Sequence, residues 1–127
     1  MPFHDKSHAS DGMRGPAVEG WNGRLNRVGI ELPSFAQPIV DTIRASAAYI
    51  LIHRDGPALQ PGSRAYERSW IRDGSLMADA LLRLNMPEVV REYIDWYVGF
   101  QYPDGKFPAA SIAAAPILFR KTIATAS

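Results

Sequence analysis

Residues 67–77, ERSWIRDGSLM, bring together the side chains of this sequence that are best suited to bind a polar ligand. Arg72 carries a planar fork of N–H donors, and Asp73 carries two acceptor oxygens. Such a pair can hold the vicinal hydroxyls of a sugar in a fixed orientation, and Trp70 supplies an apolar face. The candidate substrate-binding residues are Glu67, Arg68, Trp70, Arg72 and Asp73.

A structural role accounts for the same residues. In this interpretation Asp73 is the N-cap of the following helix, and Arg68 or Arg72 is its ion-pair partner. Trp70 then packs over the helix start as a staple. Both interpretations place the charges at a helix N-terminus, where free amides and the helix dipole favour anionic and hydroxyl groups. The residue types alone are compatible with either role.

A first amphipathic helix is predicted from Pro38, which suits a first helical turn, to the vicinity of Gly56. Its predicted apolar face consists of Ile39, Val40, Ile43, Ala47, Ile50 and Leu51. The segment 57–69 follows, and its two prolines and one glycine exclude regular helix through it. This segment is therefore predicted to be a loop.

Two further helices are predicted from Asp73 to Asn85 and from Pro87 to about Gln101. The short connection between them requires an antiparallel hairpin. The first is apolar around nearly its whole circumference, which predicts a helix buried on all sides. The second should expose a charged face to solvent, formed by Glu88, Arg91, Glu92 and Asp95. The β-turn signature at residues 102–105 then returns the chain toward Asp73.

Composition limits the classes of partner and cofactor. A length of 127 residues suits one small domain, and a net charge of +1 argues against a nucleic-acid or anionic-membrane partner. The absence of cysteine excludes disulfides and thiolate metal sites. His4 and His8 lack a third ligand and are expected to be solvated, so neither a metal nor a cofactor is predicted. No run approaches the ~20 apolar residues of a membrane span, and a cytoplasmic location is the default expectation.

Residues 1–35 are rich in glycine and polar residues with little periodicity, so we predict a loose leader. Its expected anchors are Trp21, Leu25, Val28, Ile30 and Leu32.

The run PGSRAYERSWIRDGSLMADALLRL, with IDWY in the next helix and the turn YPDGKFP, resembles the first part of bacterial six-hairpin glycosidase-like domains. These are relatives of glucoamylases and often occur beside discoidin-type modules. The W-x-R-D element, here Trp70, Arg72 and Asp73, is the most specific part. The resemblance covers residues 36–108 and implies an all-α fold of antiparallel hairpins, part of an (α/α)6 toroid. It also implies that Arg72 and Asp73 line a sugar subsite, with carbohydrate as the partner.

The chain is too short for the whole toroid, because twelve helices of ~12 residues with their loops exceed ~200 residues. Glycoside hydrolysis usually needs two carboxylates, which the resemblance places in later hairpins. Glu67 and Asp104 do not form a convincing catalytic pair. We therefore expect a fragment of a carbohydrate-active enzyme that is inactive alone, marginally stable and prone to self-association through exposed apolar faces. Leu76, Met77, Leu81, Tyr93, Trp96 and Phe100 are the side chains expected to lack cover.

Two alternatives belong to other functional classes. One is a sugar-binding module without catalysis. The other is a small helical module that docks a partner helix or a second copy through an exposed aromatic face. That face would consist of Tyr93, Trp96, Tyr97 and Phe100.

The tail from Ala109 departs from the resembled pattern, with seven alanines and no acidic residue. Its simple interpretation is an alanine-rich helix broken at Pro116. A second interpretation is a frameshift, because a one-base shift after the codon for Pro108 permits synonymous codons that encode P-E-N-D-S-H-G, as in the family.

The coding DNA tests the frameshift directly. We expect the shifted frame beyond codon 108 to encode P-E-N-D-S-H-G and to continue with further helical hairpins. Third bases that do not restore this segment contradict the hypothesis.

Overall fold

Four α-helices make up most of the part of the chain that the computed structural model describes, which is residues 11–111 without the side chains of residues 11–17. The helices are α1 (Asp11–Leu25), α2 (Gln37–Ile52), α3 (Ile71–Arg83) and α4 (Pro87–Val98). Two short strands, β1 (Ser69–Trp70) and β2 (Ala110–Ser111), pair antiparallel, with Ser69 opposite Ser111 and Trp70 opposite Ala110. The fold is thus mostly helical, as predicted. The tail beyond Ser111, with its predicted break at Pro116, lies outside the described residues.

Helix α2 confirms the first predicted helix, with Pro38 in its first turn. Its buried face is narrower than the apolar pattern indicated. Val40 and Ala47 are buried, whereas Ile39 and Ile43 remain exposed. The helix ends at Ile52, earlier than predicted, and a tight turn follows.

Helices α3 and α4 form the predicted hairpin. Asn85 adopts a φ of 59° in the connection, a left-handed conformation that asparagine tolerates better than most residues. The Met86 amide donates to the Leu81 carbonyl at 2.9 Å and closes the turn. The charged face predicted for α4 is exposed at all four of its positions.

The core lies between this hairpin, the loop before β1 and the end of α2. Its buried members are Leu59, Ala78, Leu81, Met86, Val89, Val90, Tyr93 and Tyr97. The expectation that Leu81 and Tyr93 lack cover is therefore wrong, because the hairpin itself and Leu59 enclose them. The exposed aromatic face of the interaction-module alternative is wrong in the same way, since Tyr93 and Tyr97 are both buried.

Gly74 permits the close approach of the two hairpin helices. A Cβ at this position would lie 2.2 Å from the Tyr93 hydroxyl and 2.6 Å from Cζ of the same ring. Real Cβ atoms do not reach such distances, so the phenol occupies the space that any larger residue needs. The first turn of α3 therefore rests directly on the Tyr93 ring.

The prediction that α3 is buried on all sides is wrong for the described chain. Gly74, Ala78 and Leu81 are buried, but Leu76 is 67% exposed and Leu82 is 51% exposed. No element among residues 11–111 covers that flank, so α3 is amphipathic here. Its apolar outer side chains face water.

The prediction of a loose leader over residues 1–35 is also wrong in part, because residues 11–25 form α1. Four glycines and a proline in this stretch lower its helix propensity, which explains why composition indicated irregular chain. Contacts with the rest of the protein stabilise α1 despite its low helix propensity. Leu25 packs against the core, and Arg27 just beyond α1 forms an ion pair with Glu88 of α4.

We predict that Gly74→Ala destabilises the fold by about 1–3 kcal/mol, because the added methyl group overpacks against Tyr93 and outweighs the helix propensity of alanine. Gly23→Ala is the matched control. Gly23 also lies within a helix, but nothing outside its chain neighbours and its own helix backbone lies within 4 Å of its Cβ position, so this change should stabilise by about 0.5–1 kcal/mol. Urea unfolding measures both, and equal gains in the two variants would contradict the close contact.

Candidate functional site

The W-x-R-D element lies at the junction between β1 and α3. Trp70 is the last residue of β1, and α3 begins at the next residue, Ile71. The Ile71 amide donates to the Ala109 carbonyl at 3.0 Å, just before β2. Pairing with the returning chain therefore fixes where α3 starts.

The prediction that Asp73 is the N-cap is wrong. Trp70 occupies the N-cap position in an extended conformation, and no side chain caps the helix there. The helix begins two residues before Asp73 because the Ala109 carbonyl already satisfies the Ile71 amide. Asp73 lies within the first turn, where the helix dipole still favours its negative charge.

Arg72 and Asp73 are neighbours at the surface. Arg72 Nη2 lies 3.7 Å from Asp73 Oδ2, and their side chains are 85% and 33% exposed. An exposed ion pair of this length contributes at most about 1 kcal/mol. A ligand can therefore engage both groups at little cost. Trp70 is 37% exposed beside them and presents part of its indole to solvent.

Two hydrogen bonds to backbone carbonyls hold this element in place. The Ser69 hydroxyl donates to the Leu59 carbonyl at 2.7 Å, and the Tyr97 hydroxyl donates to the Pro108 carbonyl at 2.9 Å. These bonds tie β1 to the preceding loop and α4 to the chain that enters β2. The Trp70 backbone is thereby restrained on both sides.

The predicted turn at residues 102–105 is confirmed. The Gly105 amide donates to the Tyr102 carbonyl at 2.9 Å, and Gly105 has a φ of 85°. Lys106 Nζ lies 2.8 Å from Asp104 Oδ2, and hydrogen bonding from Lys106 holds the pKa of this carboxyl below its usual range. Asp104 is thus ionised at neutral pH and unsuited to act as a general acid.

Glu67 lies in a different setting from Arg72 and Asp73. Its Oε1 accepts the Arg64 amide at 2.9 Å, which stabilises a short 3-10 turn over Arg64–Tyr66 in which Arg64 has a φ of 58°. It also lines a cavity of about 540 Å³, which neither Arg72 nor Asp73 lines. Arg68 is exposed between the two places. The structure therefore brings Trp70, Arg72 and Asp73 together and separates Glu67 from them.

Residues 11–111 contain no cluster of three or more histidine, aspartate or glutamate side chains that could hold a metal ion. None of the four helices is long and apolar enough to cross a bilayer. His4 and His8 lie outside the described residues.

Comparison of the chain with models of protein families, with curated proteins and with solved structures gives no significant match.

Sequence patterns did not reveal the residues that position the site. Ser69 and Tyr97 act through hydrogen bonds to backbone carbonyls distant in the sequence, and no spacing rule indicates such bonds. In the sequence pattern, Tyr93 was only one of several apolar residues of α4, and nothing distinguished it from the others. The nearest signal is Gly74 within an otherwise helix-favouring run, since an interior glycine often marks a close approach.

Alkaline pH should lower the free energy of unfolding, because the tyrosines of α4 that pack against α3 are buried in the folded protein. Burial raises the pKa of Tyr93 to about 12, and burial also raises the pKa of Tyr97. An unfolded tyrosine loses its proton near pH ~10, so the free energy of unfolding is unaffected below that pH and falls as the pH rises from about 10 to 12. Tyr93→Phe should reduce this fall.

Urea unfolding at successive pH values measures the effect. Tyr49→Phe, which removes an exposed hydroxyl of α2, is the matched control. The same pH dependence in both variants would contradict a buried Tyr93 hydroxyl.

Proposed function

We propose that this chain is the first part of a carbohydrate-active enzyme of the six-hairpin glycosidase-like class and supplies one sugar-binding element. In this proposal Arg72 donates to sugar hydroxyls, Asp73 accepts from them, and Trp70 packs against the ring. The observation that carries the proposal is the adjacency of these three side chains at the first turn of α3, with Arg72 almost fully exposed.

Exposed apolar side chains support the view that further hairpins cover α3 and α4 in the complete enzyme. Leu76 and Leu82 of α3, and Ile94 and Val98 of α4, are each at least half exposed. Covering one such side chain contributes about 1.5–3 kcal/mol. A toroid supplies that cover because each of its hairpins packs between two others.

Hydrolysis is not expected from this part alone. Asp104 is bound to Lys106, and Glu67 is engaged by the Arg64 amide. A general acid needs a raised pKa and access to the glycosidic oxygen, whereas hydrogen bonding from Lys106 holds the pKa of Asp104 below its usual range. A sugar-binding module without catalysis is the form of the proposal that applies to the isolated chain.

A protein-contact function is the second candidate. The same exposed side chains of α3 and α4 favour it, because large apolar side chains left exposed are common at protein interfaces. The two candidates differ in what Arg72 does, since only the sugar-binding function needs its guanidinium. The cytoplasmic location stays a prediction under both.

Titration of the 15N-labelled chain with a panel of mono- and disaccharides tests the sugar-binding function. We expect saturable shifts of the Trp70 indole N–H and the Arg72 amide for at least one sugar. Arg72→Lys should weaken that binding about tenfold, because lysine lacks the planar fork of donors. Arg91→Lys, at an exposed position of α4, is the matched control.

The absence of any shift at Trp70 and Arg72 across the panel would contradict this function. Equal affinities for the Arg72→Lys and Arg91→Lys variants would contradict the role of Arg72.

A further inference from the structure

An open cleft lies between the end of α2, the tight turn that follows it and one face of α4. Its volume is about 730 Å³, within the ~300–1,000 Å³ range of small-molecule sites. Trp70, Arg72 and Asp73 do not line it. The cleft is therefore a different place on the protein from the W-x-R-D element.

The apolar part of the cleft consists of Trp96 of α4 together with Leu51 and Pro57. Trp96 is partly exposed, and edge contacts with Phe100 and Tyr97, at ring-centroid distances of 4.9 and 5.5 Å, hold its indole in place. Among aromatic side chains, an indole attracts a cation most strongly through its ring face. This wall therefore suits the apolar body of a ligand and also a positive charge.

The charged part of the cleft contains one more carboxylate than it has cations. The Arg54 side chain is only 17% exposed and is paired with Glu92. Asp95 forms no ion pair with any of the residues that the structure describes, and this includes Arg91, one helical turn earlier. The excess negative charge disfavours an anion and favours a cation.

The hydrogen-bonding groups of the two carboxylates select the kind of cation. Arg54 engages Oε2 of Glu92, which leaves Oε1 of Glu92 and both oxygens of Asp95 available to a ligand. A primary ammonium group carries three donors and no acceptor, so it matches a set of acceptors. A neutral hydroxyl carries one donor and also an acceptor, and it gains nothing from the charge.

The cleft is formed without a ligand. Asp55 and Ala58 exchange both backbone hydrogen bonds, at 3.2 and 3.0 Å, around Gly56 and Pro57. The ion pair of Arg54 with Glu92 joins the end of α2 to α4. A ligand would therefore meet walls that are already in position, which lowers the entropic cost of binding.

We propose that this cleft binds a small organic cation, with a primary ammonium group carried on an apolar body. The ammonium group donates to Asp95 and to Oε1 of Glu92, and the apolar body packs against Trp96 and Leu51. The site shares no residue with the W-x-R-D element, so it stands or fails independently of the function proposed above.

Two probes that share one ring test this inference on the full 15N-labelled chain. Cyclohexylammonium carries the charge, and cyclohexanol carries a neutral hydroxyl on the same ring. We expect cyclohexylammonium to give saturable shifts of the Trp96 indole N–H and the Asp95 amide, with a dissociation constant on the order of 1–10 mM. Cyclohexanol should bind at least about fivefold more weakly, because it lacks the charge-assisted hydrogen bonds.

Variants of the two walls assign the site. Asp95→Asn keeps the shape of an exposed side chain and removes its charge, so it should weaken cyclohexylammonium binding about fivefold and leave cyclohexanol binding unchanged. Asp41→Asn, the same change at an exposed position of α2 outside the cleft, is the matched control and should alter neither. Trp96→Leu keeps an apolar wall without the ring face, and it should weaken cyclohexylammonium binding about threefold.

Each outcome has a defined meaning. Shifts at Trp96 and Asp95 that cyclohexylammonium produces, and that Asp95→Asn weakens while Asp41→Asn does not, support the site. Equal affinities for the two probes overturn it, as does the absence of shifts at Trp96 and Asp95 with either probe. Equal losses in Asp95→Asn and Asp41→Asn also overturn it, because they would attribute the attraction to the net charge of the protein.

Discussion

The contact between Gly74 and the Tyr93 phenol is the constraint on which the candidate site depends. The hydroxyl lies where a Cβ of residue 74 would be, so the first turn of α3 can approach α4 only because residue 74 has no side chain. The Tyr93 hydroxyl is buried without a hydrogen-bond partner among the described residues. The unpaired hydroxyl destabilises the fold, and the close packing of α3 on α4 beneath the W-x-R-D element offsets that cost.

The other features of the site follow from that packing. With α3 seated on α4, the Tyr97 hydroxyl reaches the Pro108 carbonyl, and the chain entering β2 lies beside β1. The Ala109 carbonyl then accepts the Ile71 amide and determines where α3 begins. Arg72 and Asp73 consequently project from the first turn toward solvent, where no bond within the protein competes strongly for them.

Local patterns in the sequence predicted the elements that depend on nearby residues. The α3–α4 hairpin follows from a short connection between two periodic segments, and the turn at residues 102–105 follows from its own residue types. Features that depend on distant contacts were missed. Helix α1 forms against unfavourable propensity, and the start of α3 depends on Ala109, which lies 38 residues after Ile71 in the sequence.

The candidate site divides in the same way. The side-chain chemistry of Trp70, Arg72 and Asp73 and their adjacency follow from the sequence, because they lie within one turn of chain. The separation of Glu67 from them, and its meeting with Gln60 across a cavity, require the folded loop. The apolar composition of α3 predicted burial on all sides, but Leu76 and Leu82 face water because burial also requires neighbouring elements to cover them.

Hydrogen exchange at the Ile71 amide tests most directly whether packing beneath α3 positions the site. If the Tyr97 bond to Pro108 holds the returning chain against β1, the Ile71 amide exchanges slowly, and Tyr97→Phe accelerates its exchange while the amides of α4 stay protected. Exchange of the Ile71 amide at the rate of an unfolded chain, in a protein whose α4 amides are protected, would contradict this account.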